Sequence, residues 1–273
     1  RMSTLPGYAK MTDVANADAP QMPLFYSNPV PVSAQRHADW KVKEKRTFEY
    51  AANVHAVPVL AEELPQLQAF YPLVFSGGSN PGVMALLGLR AGQNLFVQAD
   101  GTWRAGNQIP AYVQRYPFLL VEVPDDKRLV LIVEEDERLV GPSYDVPLFQ
   151  DGKGTEQGEQ ILNYCVNFNN SARQTQAFCE ELAKRDLLVE QRADVVTPDG
   201  KRLSLSGFRV IDEKKFNEFK KKIKSKVPAR DTFITRFKSL NYLTPRHKEI
   251  INYTLWKIYK HRNPAVDVDR MGQ

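Results

Sequence analysis

Residues 156–188 read EQGEQILNYCVNFNNSARQTQAFCEELAKRDLL, and this stretch decides the fold class. Ile161, Leu162, Cys165, Phe168, Ala172, Phe178, Cys179 and Leu182 recur at spacings of three and four, which lines them along one face of a long helix whose other face is polar. A helix with one apolar face needs a second layer to bury it. The preceding sequence supplies short apolar runs at 73–75, 83–89, 94–98, 118–123 and 129–134. Gly77-Gly78, Asn80-Pro81-Gly82, Asp100-Gly101 and Asp125-Asp126 separate them as turns, so the region predicts an antiparallel meander. Beyond the helix, runs at 193–196 and 203–211 flank Pro198-Asp199-Gly200, a hairpin signal. The expected fold is α+β, an antiparallel β meander packed by a long amphipathic helix, with a helical basic C-terminal tail.

Working outward, residues 1–32 carry Pro20, Pro23, Pro29 and Pro31 and read as an extended arm anchored by Leu24, Phe25 and Tyr26. Residues 48–60 read as a strand ending at Pro58, 64–70 as a short helix, and 109–116 as another, started at Pro110, where a missing amide proton costs least. The main α+β domain is expected over 33–219 and a basic helical extension over 220–273.

Hydrophobic residues make up 42% of the 273 and charged residues 25%, which excludes disordered and fibrous classes and is enough to build a core. No run approaches the roughly 18–20 apolar residues of a membrane helix. Residues 1–13 lack the apolar core and cleavage site of a secretory signal, so a cytoplasmic location is expected. Cys165 and Cys179 stand fourteen positions apart on one helix, about 21 Å, beyond disulfide reach. Two reduced thiols fit the same compartment.

Charge is unevenly placed. Between 209 and 262 there are 11 lysines and 5 arginines against 5 acidic residues, while the whole chain carries a net charge of only +5. The middle is acidic, notably Asp125, Asp126 and the run Glu134-Glu135-Asp136-Glu137. The tail therefore either packs on the acidic meander or meets an anionic partner. Thr244-Pro245 starts a helix whose apolar face is Ile250, Ile251, Leu255, Ile258 and Tyr259.

Many short blocks carry a resemblance: Pro23-Leu24-Phe25-Tyr26; Phe48-Glu49-Tyr50-Ala51-Ala52-Asn53-Val54-His55-Ala56-Val57-Pro58-Val59; Tyr71-Pro72-Leu73-Val74-Phe75; Asn94-Leu95-Phe96-Val97; Asp100-Gly101-Thr102-Trp103. They are followed by Ile109-Pro110-Ala111-Tyr112-Val113-Gln114-Arg115-Tyr116-Pro117-Phe118, Pro147-Leu148-Phe149 and Leu205-Ser206-Gly207-Phe208. In this order, over about 23–219, the chain resembles the SapC family. The resemblance implies a bacterial protein whose family takes its name from a surface layer (S-layer), with members commonly encoded beside TonB-dependent receptors and tryptophan-halogenase-like proteins. It implies no catalytic residue set. The lysine run and the helix after it look elaborated relative to the family's shorter, less basic ending.

Candidate chemistry is sparse. Asn53 and His55 end an apolar run, where an imidazole beside an amide can orient a substrate or move a proton. The competing reading is a structural histidine hydrogen-bonded near Pro58. Arg115, with Tyr112 and Tyr116, has the chemistry to grip a carboxylate against aromatic rings, and the competing reading is an amphipathic turn packing its tyrosines. Residues 76–82 lack the lysine and hydroxyl of a phosphate loop, and Asp151-Gly152-Lys153-Gly154 lacks the ligands of a calcium loop. Four histidines without ligand spacing predict no metal, and no cofactor is expected. Cys165 and Cys179 lie on the apolar face as packing thiols.

Lys220, Lys221 and Lys222, with Lys248, Lys257 and Lys260, are the candidate partner-binding residues. No groove-reading motif accompanies them, so a polypeptide rather than nucleic acid is the expected partner. The leading expectation is a non-catalytic accessory protein engaged in protein–protein interaction by peptide binding. The alternative is an enzyme acting on a peptide or amino-acid substrate around Asn53, His55 and Arg115.

Overall fold

The computed structural model describes residues 22–123, 128–196 and 202–226. The chain opens with β1 (Val30–Pro31), β2 (Lys41–Val42) and β3 (Ala56–Pro58), then α1 (Leu64–Leu67) and the hairpin β4 (Leu73–Ser76) and β5 (Val83–Leu86). A short helix α2 (Ala111–Arg115) leads into a second hairpin, β6 (Phe118–Glu122) and β7 (Leu129–Val133). Small pieces follow: β8 (Val140–Gly141), β9 (Val146–Pro147), β10 (Phe149–Gln150) and β11 (Lys153–Gly154). The long helix α3 (Glu156–Lys184), the hairpin β12 (Leu188–Val196) and β13 (Arg202–Ile211), and α4 (Glu213–Lys226) complete the described chain.

The fold is α+β, but the apolar runs do not form one meander. They divide into a five-stranded sheet of order β12-β13-β4-β5-β3 and a three-stranded sheet of order β1-β7-β6, all neighbours antiparallel. The break falls between β5 and β6, where α2 and a long loop intervene; the run 94–98 contributes only the isolated bridge Val97 to Trp103. Residues 48–60 also differ from expectation. Glu49–Ala51 is a 3₁₀ turn, held by the Ala51 and Ala52 amides on Phe48 and Glu49, and only Ala56–Pro58 is strand.

With 29 residues, α3 is about 43 Å long and is the spine shared by both sheets. Its first half places Cys165 against Phe118, Leu120 and Val133 of the three-stranded sheet. From Phe168 onward it enters the second core, where Phe168, Cys179 and Leu182 join Val57, Phe75, Val83 and Ala85 of the five-stranded sheet. Thr155 caps the start: its hydroxyl accepts from the Gly158 amide at 3.2 Å and donates to the Pro147 carbonyl at 2.7 Å, tying the helix to β9. The expected helix end at 188 moves back to Lys184, because Asp186 enters the left-handed region at φ 55° and the chain turns into β12. At Asp151 and Gly152, successive positive φ values of 50° and 74° close the β10–β11 hairpin.

Candidate functional site

A five-residue helix cannot satisfy its own backbone, since its first amides and last carbonyls have no partner within it. In α2 those groups are met by side chains from four other parts of the chain. The Ala111 amide donates to Glu63 Oε1 at 2.7 Å, while Glu63 Oε2 accepts from the Leu60 amide at 2.9 Å. Tyr164 of α3 donates to the Ala111 carbonyl at 3.3 Å, and Tyr50 to the Val113 carbonyl at 2.7 Å. The Arg46 guanidinium forks onto the carbonyls of Gln114, at 2.7 Å, and Tyr116. A carboxylate at the helix start and a cation at its end also complement the helix dipole.

The predicted residues Tyr112, Arg115 and Tyr116 come together here, all buried. The Tyr112 hydroxyl donates to the Leu24 carbonyl at 3.2 Å, and the Tyr116 hydroxyl to Asp136 Oδ2 at 2.9 Å. Arg115, only 6% exposed, holds its guanidinium carbon 4.4 Å from the Phe168 ring centroid and 4.8 Å from that of Tyr112. Tyr26 stands 5.8 Å away on a third side, its hydroxyl donating to the Phe118 carbonyl at 2.8 Å. Phe25 packs edge-on to Tyr50 and Tyr116, so the arm seals the cluster from above. Burial pushes the Tyr26 and Tyr50 phenols well above their ordinary range; burial and the Asp136 carboxylate do the same for Tyr116. The hydroxyls thus remain neutral donors. Burial also pushes Glu63 up to about 7, against the pull of its two amide donors.

Asn53 and His55 sit elsewhere, at the entry to β3. Asn53 is exposed, and His55 is half-buried, with its carbonyl accepting from the Leu87 and Gly88 amides at 2.7 and 3.1 Å. Burial lowers the His55 pKa, favouring the neutral ring. Its peptide group joins β3 to the end of the β5 run.

The acidic run carries the feature that sequence reasoning missed. Glu134 Oε2 accepts the Ser27 and Asn28 amides, each at 3.0 Å. Glu135 receives a bidentate pair from Arg36 at 2.7 and 2.8 Å and faces the Nε2 of fully buried His37 at 3.3 Å. Since His37 Nδ1 accepts from the Ser33 amide, its Nε2 carries the proton directed to Glu135. Asp136 takes two hydrogen bonds from the Arg138 side chain, at 2.8 and 2.6 Å, besides Tyr116. Burial opposes ionisation of Asp136, but these donors outweigh it and hold its carboxyl below the usual range. Arg36 does the same for Glu135. Glu122 pairs with Arg173 of α3 at 2.7 Å. A local acidic motif gives no sign of such distant partners.

At the other end, α4 begins on an Asp212 cap, Oδ1 accepting from the Lys215 amide at 3.1 Å. Phe216 and Phe219 pack on the main core, Arg185 lies 4.8 Å over the Phe219 ring, and Lys215 pairs with Asp186. Lys220, Lys221 and Lys222 continue the α4 backbone, whereas Lys248, Lys257 and Lys260 lie outside the described residues. Among the described residues, no three His, Cys, Asp or Glu side chains group as metal ligands would, and no helix is long and apolar enough to cross a membrane.

In comparison with known proteins, the family model described as SapC matches residues 32–242. No curated protein and no solved structure matches the chain.

Proposed function

The chain belongs to the SapC family, and from that premise and the arrangement of its charges we propose a non-catalytic accessory protein whose basic C-terminal part recognises an acidic polypeptide. The observation that carries this reading is the internal pairing of the acidic run. Glu122, Glu134, Glu135 and Asp136 are each engaged by Arg173, the Ser27 and Asn28 amides, Arg36 or Arg138. Being engaged within the body, they do not serve as counter-charges for the 16 basic residues between 209 and 262, which outnumber their 5 acidic neighbours. Clustered cations repel one another and attract an acidic surface from outside.

The α2 cluster supports the same reading by what it already does. Its hydroxyls, amides and carbonyls hold the arm, the two sheets and α3 together, which is the work of a scaffold. Cys165 and Cys179 are buried thiols pushed up by burial to about 11 and 12, inert packing suited to a reducing cytoplasm. Surface-layer and receptor-associated polypeptides are the partner classes that the family name and gene neighbourhoods suggest. A salt-titrated binding measurement with a glutamate-rich peptide tests the reading, since exposed charge contacts weaken as the screening length shortens.

A further inference from the structure

We propose that residues 24–31 of the arm lie in a peptide-binding groove, and that the same segment of a second copy of the chain takes their place there, giving a dimer by exchange of arms. The arm docks through the kinds of contact that bind an extended peptide. Val30 and Pro31 add a strand to β7, with Val30 opposite Val133 and Pro31 opposite Ile132. The Val32 amide donates to the Leu131 carbonyl at 2.9 Å, so Pro31 falls between hydrogen-bonded pairs, where its missing amide proton removes nothing from the ladder. Ahead of the strand, the Ser27 and Asn28 amides share the Glu134 carboxylate, and the Leu24 carbonyl accepts from the Tyr112 hydroxyl. Side chains supply the fit. The Phe25 ring lies 5.2, 5.7 and 5.8 Å from those of Tyr50, Tyr112 and Tyr116, and buried Tyr26 packs with Leu119, Ile132 and Leu139. Phe25 holds φ at 80°, a left-handed conformation that phenylalanine seldom adopts, so the arm is moulded to the groove rather than to its own backbone preference.

A groove shaped to this segment is filled equally well by the same residues of another copy, because exchange of an identical element keeps every contact and changes only the connection. That connection is short and local. Residues 33–37 form a turn closed by the His37 amide on the Ser33 carbonyl at 2.9 Å, the Ser33 amide on His37 Nδ1 at 3.2 Å and the Arg36 amide on the Ser33 hydroxyl at 3.2 Å. Opening it lets the arm lift while His37, fully buried beside Glu135, stays with the body. The bonds from Ser27 and Asn28 to Glu134 are exposed, so water replaces them as the arm leaves. Pro23, Pro29 and Pro31 keep a released arm extended, which limits the conformational freedom it loses on docking again. In the closed monomer the groove meets its own arm at an effective concentration of the order of millimolar, and exchange grows as the protein approaches that concentration.

The full chain carrying both Pro31→Cys and Ile132→Cys tests the exchange. The two positions oppose each other as a non-hydrogen-bonded pair, where Cα atoms stand about 4.5 Å apart and a disulfide can close. Native Cys165 and Cys179 are buried and lie outside the cluster that holds Ile132. Oxidised at roughly 10 µM, the variant is expected to be a monomer with an internal 31–132 link; at roughly 1 mM it is expected to give a covalent dimer joined by the same link, at least tenfold more abundant. Mass spectrometry of the linked peptides distinguishes this from 31–31 or 132–132 joining. Sedimentation of the wild-type chain, which carries no substitution, is expected to show a dimer appearing over the same range. Monomers alone at both concentrations, a dimer joined through like positions, or a wild-type chain that stays monomeric would overturn the proposal.

Discussion

Arg46 Nη1 lies 2.7 Å from the carbonyl oxygen of Gln114, at the end of a helix only five residues long. The same guanidinium reaches the Tyr116 carbonyl, so one side chain closes the C-terminal end of α2. Arg46→Met is expected to leave two carbonyls without donors and to cost about 2–3 kcal/mol. Arg46→Lys keeps the charge but not the planar fork and should recover less than half of that. Chemical denaturation of the three proteins checks the order.

Glu63 gives the body a pH signature. Its folded-state pKa is raised from 4.5 to about 7, so between those values the folded chain holds a proton that the unfolded chain releases. The associated stability is fully present below about pH 4.5 and is lost as pH rises through about 7, by about 3 kcal/mol. Glu63→Gln cannot titrate and is expected to flatten that part of the stability profile. It also swaps one acceptor for a donor facing an amide, so it should be less stable than wild type at pH 5. Urea unfolding from pH 4 to 8 measures both effects, and parallel profiles would refute them.

Glycine in the first turn of α3 has a packing reason. A methyl group at Gly158 would sit 2.7 Å from the Leu148 carbonyl oxygen, so Gly158→Ala should destabilise despite the roughly 1 kcal/mol that alanine normally gains in a helix. Gly88→Ala is expected to be worse, because its methyl would lie 2.1 Å from the Gln93 backbone oxygen. Melting temperatures of the two variants rank them.

The arm is held through Glu134 and should detach before the body unfolds. Glu134→Ala removes the acceptor of the Ser27 and Asn28 amides. It is expected to speed proteolytic cleavage near residues 27–28 several-fold while lowering stability by about 1 kcal/mol. Limited proteolysis with mass mapping reads the site; cleavage at the wild-type rate would contradict the assignment.

The sequence made α3 legible because its apolar spacing, its Thr155 cap and its polar face all agree locally. The β12–β13 hairpin was legible for a similar reason: Val196 pairs with Arg202 across the Pro198-Asp199-Gly200 signal. What escaped was everything set by distant partners. Phe208 pairs with Ser76, which no local pattern indicates, and this pairing builds the five-stranded sheet. Tyr112, Arg115 and Tyr116 looked equally suited to holding a ligand or to packing, and the difference lies in Leu24, Phe168 and Asp136, which supply their contacts. The acidic run resembled an unfilled counter-charge until Ser27, Arg36 and Arg138 were placed beside it.

The most direct measurement of the central claim is fluorescence anisotropy of a labelled glutamate-rich peptide against the full chain, from 20 to 500 mM salt. The triple variant Lys248→Gln, Lys257→Gln, Lys260→Gln and the variant His55→Ala are compared with it, and a single-stranded oligonucleotide and anionic vesicles serve as alternative ligands. Saturable peptide binding is expected, falling steeply with salt and weakening at least tenfold in the triple variant, about 1.4 kcal/mol, with His55→Ala unchanged. Peptide binding indifferent to salt and to the three lysines, or a clear preference for the oligonucleotide or the vesicles, would contradict it.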